Sequence, residues 1–158
     1  MNCKRMAEPK RPSHGKTGVT DLAIAIPQLL KAKAASNTSS AVSGLRTVAS
    51  AEAVYRASVV PNKYDTLANL ATNGNLDSQW VTAVMSGTGH NGYQITELAA
   101  PTTDTFGFVA LPVSYPNSGK NGFCLGTSGS IHVIDGTASA PAAPADEAAC
   151  VALPILGQ

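Results

Sequence analysis

The spacing of apolar residues changes twice along this chain, and each change predicts a different element. From Leu22 to about Ser58 the sequence is rich in alanine. Within it Ala41, Leu45, Val48, Glu52, Tyr55 and Val59 recur at steps of three and four, which predicts one long helix with a mostly apolar stripe on a single face. Thr20 or Asp21 offers an oxygen to cap its first turn. Pro27 and Gly44 are its breakers. Pro27 either kinks the helix or, if the helix begins near it, occupies a first-turn position that needs no amide hydrogen. The chain stops at Val60-Pro61-Asn62 and passes through a loop with Tyr64 and Leu67. A second short helix is expected over Leu76–Met85, with Asn75 or Asp77 at its start, Gly87 past its end, and Trp80, Val84 and Val81 on its buried side.

Beyond Gly89 the period falls to two. Tyr93–Thr96, Thr105–Val113, Gly122–Leu125 and Ser130–Ile134 read as four short antiparallel strands, the last two joined by a Gly-Thr-Ser-Gly turn. Helix first and strands afterwards is an α+β order, in which a long N-terminal helix packs on a small sheet of about four strands. Residues 136–149 (GTASAPAAPADEAA) form an Ala/Pro loop without core formers. Residues 1–18 carry no apolar period and read as an unstructured basic leader, residues 19–60 as the helix, and residues 61–158 as the body.

With 158 residues and 44% apolar content, one ordinary domain is expected. Charged residues make up only 13%, so the surface is neutral and built of small side chains. The net charge of +1 hides an asymmetry: Lys4, Arg5, Lys10, Arg11 and Lys16 against Glu8 give the first twenty residues +4, leaving −3 for the rest. A basic head can meet nucleic acid or an anionic membrane face. It lacks aromatic residues on which single-stranded bases could stack, and residues 61–158 hold only Lys63 and Lys120, so no specific nucleic acid is expected. Leu22–Leu30 is the strongly apolar run of this half, and its nine residues rise about 14 Å as a helix. A bilayer core takes about 20 residues.

Cys3 lies in the head, while Cys124 and Cys150 flank 25 residues near the C-terminus. A pair in the body and one cysteine outside it is simple arithmetic for an exported domain, and a bridge across that loop would stabilise it by roughly 3–4 kcal/mol. Two separate buried thiols are the alternative. Other chemistry has little to stand on. Gly15-Lys16-Thr17 lacks the earlier glycine and preceding strand of a phosphate loop. Gly126–Ser130 is a turn, one residue away from a nucleophile elbow. His14, His90 and His132 are far apart and read as surface or structural residues, and Asp146-Glu147 as a solvated acidic pair. Neither catalytic residue, cofactor nor metal ligand is assigned, and an enzyme is not expected.

One long pattern joins these parts: Ala25-Ile26-Pro27, Leu-Leu-x-Ala-x-x-Ala over 29–35, Asn37, Ser40-Ala41, Leu45-Arg46, Ala51-Glu52 and Tyr55. Over Ala23–Tyr55 this resembles the N-terminal helix of type IV pilins and of the related pseudopilins of type II secretion. Phe123-Cys124 followed by Gly129-Ser130-Ile131 resembles their penultimate hairpin, and Cys124 with Cys150 their C-terminal disulfide loop. The resemblance implies the pilin fold and a structural subunit of a filament at the cell surface, serving adhesion, motility or DNA uptake. It implies assembly through the helix, with Ile24, Ile26, Pro27, Leu29 and Leu30 among the assembling residues, and copies of the same chain as partners. In the family a prepilin peptidase cuts a basic leader after glycine and methylates the new N-terminus. The nearest counterpart here is Gly18-Val19-Thr20-Asp21-Leu22, with Asp21 arriving two residues before the family's glutamate and most of the family's apolar run missing. An anchored subunit would meet the peptidase and the inner-membrane assembly platform before reaching an extracellular pilus. Small residues from Ala32 to Ala41 would permit close helix–helix approach. Lys31 and Lys33 would answer carboxylates on neighbours, for at most about 1 kcal/mol, or stand solvated. A periplasmic pseudopilin and a surface-binding module that forms no filament are the alternative functions.

Overall fold

A computed structural model describes the backbone over residues 20–157 and side chains from Pro27 onward. The leader, the expected cut between Gly18 and Val19, the phosphate-loop candidate and Cys3 lie outside the described residues. Ile24 and Ile26 fall within the first helix, but their side chains lie outside the described set.

Helix α1 spans Thr20–Ser58, 39 residues, and includes Pro27 in its interior. Of the two uses expected for Pro27, the interior one therefore holds, and the carbonyl four residues earlier loses its intrahelical donor. The stripe is buried as its spacing requires: Ala41, Leu45, Val48, Glu52 and Tyr55 face the core and Val59 is half-buried. Gly44 does not break the helix. A Cβ there would come within 3.1 Å of the Trp80 ring and 3.2 Å of Ile95 Cδ1, so the glycine lets α1 approach the body closely.

One helix was not expected, and a second follows the expected pattern with a later start and a less buried Trp80. The stretch after Tyr64, expected as loop, contains α2 (Leu67–Thr72), capped by Thr66, whose hydroxyl accepts from the Asn69 amide at 3.2 Å. Helix α3 spans Ser78–Met85 with Asp77 as its cap, and Val81 and Val84 are its buried side while Trp80 is only half-buried.

The four strands form an antiparallel meander in the order β1 (Tyr93–Glu97), β2 (Gly107–Pro112), β3 (Gly122–Gly126) and β4 (Ile131–Ile134). Their side chains alternate between two apolar layers. Phe108, Ala110, Phe123 and Leu125 join the main core with α1, α2 and α3. Val109, Cys124 and Ile134 join a second cluster with Cys150, flanked by Leu98, Leu111 and Leu153. Both faces of β2 and β3 are thus covered, which explains why these strands read as nearly continuous apolar runs.

The cover of the second layer is the C-terminal segment. The Ala/Pro stretch expected as pure loop ends in a short helix, α4 (Glu147–Val151), with Asp146 as its cap accepting from the Ala149 amide at 2.8 Å. A disulfide joins Cys124 to Cys150 with the Cα atoms 6.0 Å apart, fixing α4 against β3. Glu147 accepts from the Thr127 amide at 2.6 Å and so ties α4 to the β3–β4 turn. The pair expected as merely solvated therefore holds structure together: one carboxylate caps a helix and the other fixes a turn. His132 is buried, with Nδ1 2.7 Å from the Leu153 carbonyl, in keeping with a structural role.

Candidate assembly surface

Along α1, exposure changes abruptly near Asn37. Residues 27–36 are exposed, with Ala34 half-buried, whereas Asn37, Ala41, Val42, Gly44, Leu45 and Val48 are buried. Leu29 is 70% and Leu30 52% exposed, large apolar groups on a surface shared with Pro27, Gln28, Lys31, Ala32, Lys33, Ala35 and Ser36. Among the described side chains, α1 packs on the body from Asn37 onward, and before that it meets the body at one groove.

The change of exposure is fixed by a set of hydrogen bonds where α1 reaches the sheet end formed by the β2–β3 connection. Asn37 Nδ2 donates to the Ser118 carbonyl at 2.9 Å, and Asn91 Nδ2 donates to Ser40 Oγ at 2.8 Å. Tyr93 donates to the Asn121 carbonyl at 2.8 Å, with Thr38 Oγ1 3.4 Å from its hydroxyl. A Cβ on Gly119 would lie 2.0 Å from that hydroxyl, so only glycine lets the connection close over Tyr93. Asn37 is 8% exposed, and its amide is the polar group that reads out the body's position.

Above this girdle lies a groove of about 380 Å³ between α1 and residues 116–121. Leu30, Ala34, Ala35 and Pro116 are its apolar lining, and Lys31 and Lys120, both exposed, line it as well. Among the described residues the ion pairs are Arg56–Asp104 and Lys63–Asp65, each 3.9 Å, and neither involves Lys31 or Lys33. Both of those lysines are exposed.

The far end of α1 carries a second polar set. Glu52 has no exposed surface; its Oε2 accepts from the Asp65 amide at 3.2 Å, and its Oε1 meets no partner among the described residues. Burial is the main cause that lifts its pKa from 4.5 to about 7; the Asp65 amide opposes this, and the charges of Asp65 and Glu97 add to it. Asp65 lies below the usual carboxylate range: its own burial works against ionisation, but bonds from Asn69 Nδ2, the Thr66 amide and the Tyr55 hydroxyl, with Lys63 nearby, outweigh it. Glu52 belongs to the expected stripe, yet its place on an apolar face said nothing of its isolation. Only the neighbours Asp65 and Glu97, brought in from other elements, reveal that.

Comparison with protein-family models, curated proteins and solved structures yields no match. The candidate surface therefore stands on geometry. The structure brings Pro27, Leu29 and Leu30 onto one exposed helical segment and unites Cys124 with Cys150. Among the described residues no helix is long and apolar enough to cross a membrane.

Proposed function

We propose that this chain is a structural subunit of a type IV pilus-like filament with the pilin fold, which assembles by packing the first half of α1 against the same segment of neighbouring copies. The observation that carries this reading is the exposed pair Leu29 and Leu30 on a helix whose continuation buries one face against the body. A helix from Thr20 to Ser36 has 17 residues and a length of about 25 Å. Small side chains along it allow close approach, and burying each leucine against a neighbour contributes about 1.5–3 kcal/mol. The groove beside Leu30 continues this apolar surface onto the body, and Lys31 and Lys120 in its lining suit carboxylates of the adjoining copy.

The disulfide-tied sheet supports the same reading. A subunit displayed outside the cell keeps a disulfide that a reducing cytosol would not, and the bridge closes the layer that faces away from α1. The test places a complete apolar segment before Ala23 and expresses the chain beside a pilus assembly apparatus. Sheared surface filaments should then contain it. Leu29→Asp with Leu30→Asp should remove it from the sheared fraction by more than tenfold while its circular dichroism stays unchanged. A chain that inserts in the membrane and never enters filaments would contradict the proposal.

A further inference from the structure

We infer that Glu52 is a proton-operated clasp: protonated, it holds the segment Asp65–Thr66 against the end of α1, and on ionising it releases that segment. This inference is independent of the filament reading and concerns the opposite end of the helix.

The geometry leaves an ionised Glu52 without support. Its side chain is wholly buried, one oxygen takes the Asp65 amide, and the other has no partner among the described residues. A buried carboxylate tolerates charge only with donors around it. The groups that face it from each packed element are mostly of the wrong sign. Asp65 approaches from the segment after α1, and Glu97 from β1, where its Oε1 accepts from the Leu67 amide at 3.0 Å. On α1 itself Tyr55 gives its hydroxyl to Asp65 at 2.8 Å. The cations are engaged elsewhere: Arg56 bonds the Tyr64 hydroxyl at 2.6 Å and stands 3.9 Å from Asp104, and Lys63 stands 3.9 Å from Asp65. Neither pairs with Glu52.

Ionised, Glu52 would accept the Asp65 amide more strongly, but it would be a charge denied water by burial and facing the carboxylates of Asp65 and Glu97; opening the segment hydrates that charge, and this outweighs the single bond. The segment is built to give locally and return. Its two flanks are apolar anchors: Tyr64 packs on Phe106 with ring centroids 4.6 Å apart, and Leu67 is fully buried. Between them Asp65 and Thr66 are half-buried and carry the cap of α2. Release of these two residues opens the Tyr55–Asp65 bond and uncaps α2, while the anchors keep the chain in place for reclosure. The pKa of about 7 places the change near neutrality.

The test is a titration of the full chain with carboxyl-labelled glutamate, followed by carbon NMR from pH 4.5 to 9, together with amide hydrogen exchange at Asp65, Thr66 and Leu67. One glutamate signal should titrate near pH 7 and be missing from Glu52→Gln. The Asp65 and Thr66 amides should shift with the same midpoint and lose at least tenfold in protection above it, after correction for the intrinsic pH dependence of exchange. Glu97→Gln keeps the acceptor for Leu67 but removes a like charge, so it should lower the Glu52 midpoint; with the wild-type titration it carries the test even if Glu52→Gln fails to fold. A chain in which every glutamate titrates below pH 6, or in which Glu52 titrates near 7 while Asp65 and Thr66 keep their protection, would overturn the clasp.

Discussion

Both halves of α1 are rich in alanine and carry large apolar side chains, yet among the described side chains the second half buries one face and the first leaves its leucines exposed. From Asn37 the helix presents Ala41, Leu45, Val48, Glu52 and Tyr55 to a core closed by the sheet, α2 and α3. Before Asn37 it leaves Leu29 and Leu30 exposed among the described residues. Apolar content does not predict the burial, because Leu29 and Leu30 belong to the strongly apolar run and are exposed. The difference lies in whether another element reaches the helix, and the girdle of Asn37, Ser40, Asn91, Tyr93 and Ser118 marks where that begins. Apolar groups on an unengaged helix are a surface for association; the same groups beneath a sheet are a core.

This contrast can be tested by perturbing each region in turn. The largest loss is expected from the layer that α1 does not touch: Cys124→Ser with Cys150→Ser removes a bridge spanning 26 positions and should cost about 3.5 kcal/mol in urea unfolding. Leu45→Ala in the engaged half should cost about 3 kcal/mol, because Leu45 has no exposed surface and the sheet above it cannot follow the missing atoms. A value under 0.5 kcal/mol would place the core elsewhere.

Proton linkage sharpens the far end of the same half. Since the folded chain holds the Glu52 proton more tightly than the unfolded one, its contribution is fully present below pH 4.5 and is lost as pH rises to about 7. The loss amounts to up to about 3 kcal/mol, and the difference between wild type and Glu52→Gln across that window in thermal unfolding should isolate it. Asp65 works in the opposite sense at lower pH, because its depressed pKa adds stability as it ionises. At the boundary, Asn37→Ala leaves the buried Ser118 carbonyl without its donor and should cost about 1–2 kcal/mol. In the bare half, Leu30→Ala should change stability by less than about 0.5 kcal/mol in the isolated chain. Any larger effect would mean that the groove beside it is packed by the body.

Much of the fold was legible because periodicity reports burial directly. The stripe on α1, the strands around Phe108 and Phe123, and the cap at Asp77 follow from spacing and local hydrogen bonding, which need no distant partner. Helix α2 was not legible: six residues are too few for a period, and its cap Thr66 is one threonine among many. Helix α4 hid in an Ala/Pro stretch for the same reason, and Glu147 resembled a solvent residue until the β3–β4 turn was brought beside it. Gly44 read as a breaker because a glycine's local preference is visible in sequence, while the Trp80 ring that needs its space arrives from 36 positions away.

The sequence by itself determined a long helix with one apolar face, an α+β order and two body cysteines able to bridge. Periodicity and composition act over a few residues, so these features survive without knowledge of the rest. Only the tertiary structure decided where on α1 burial stops, that the sheet is covered on both faces, and that Glu52 sits beside Asp65 and Glu97 with an oxygen unmet among the described residues. Desolvation and charge depend on what closes around a group, and elements distant in sequence do the closing.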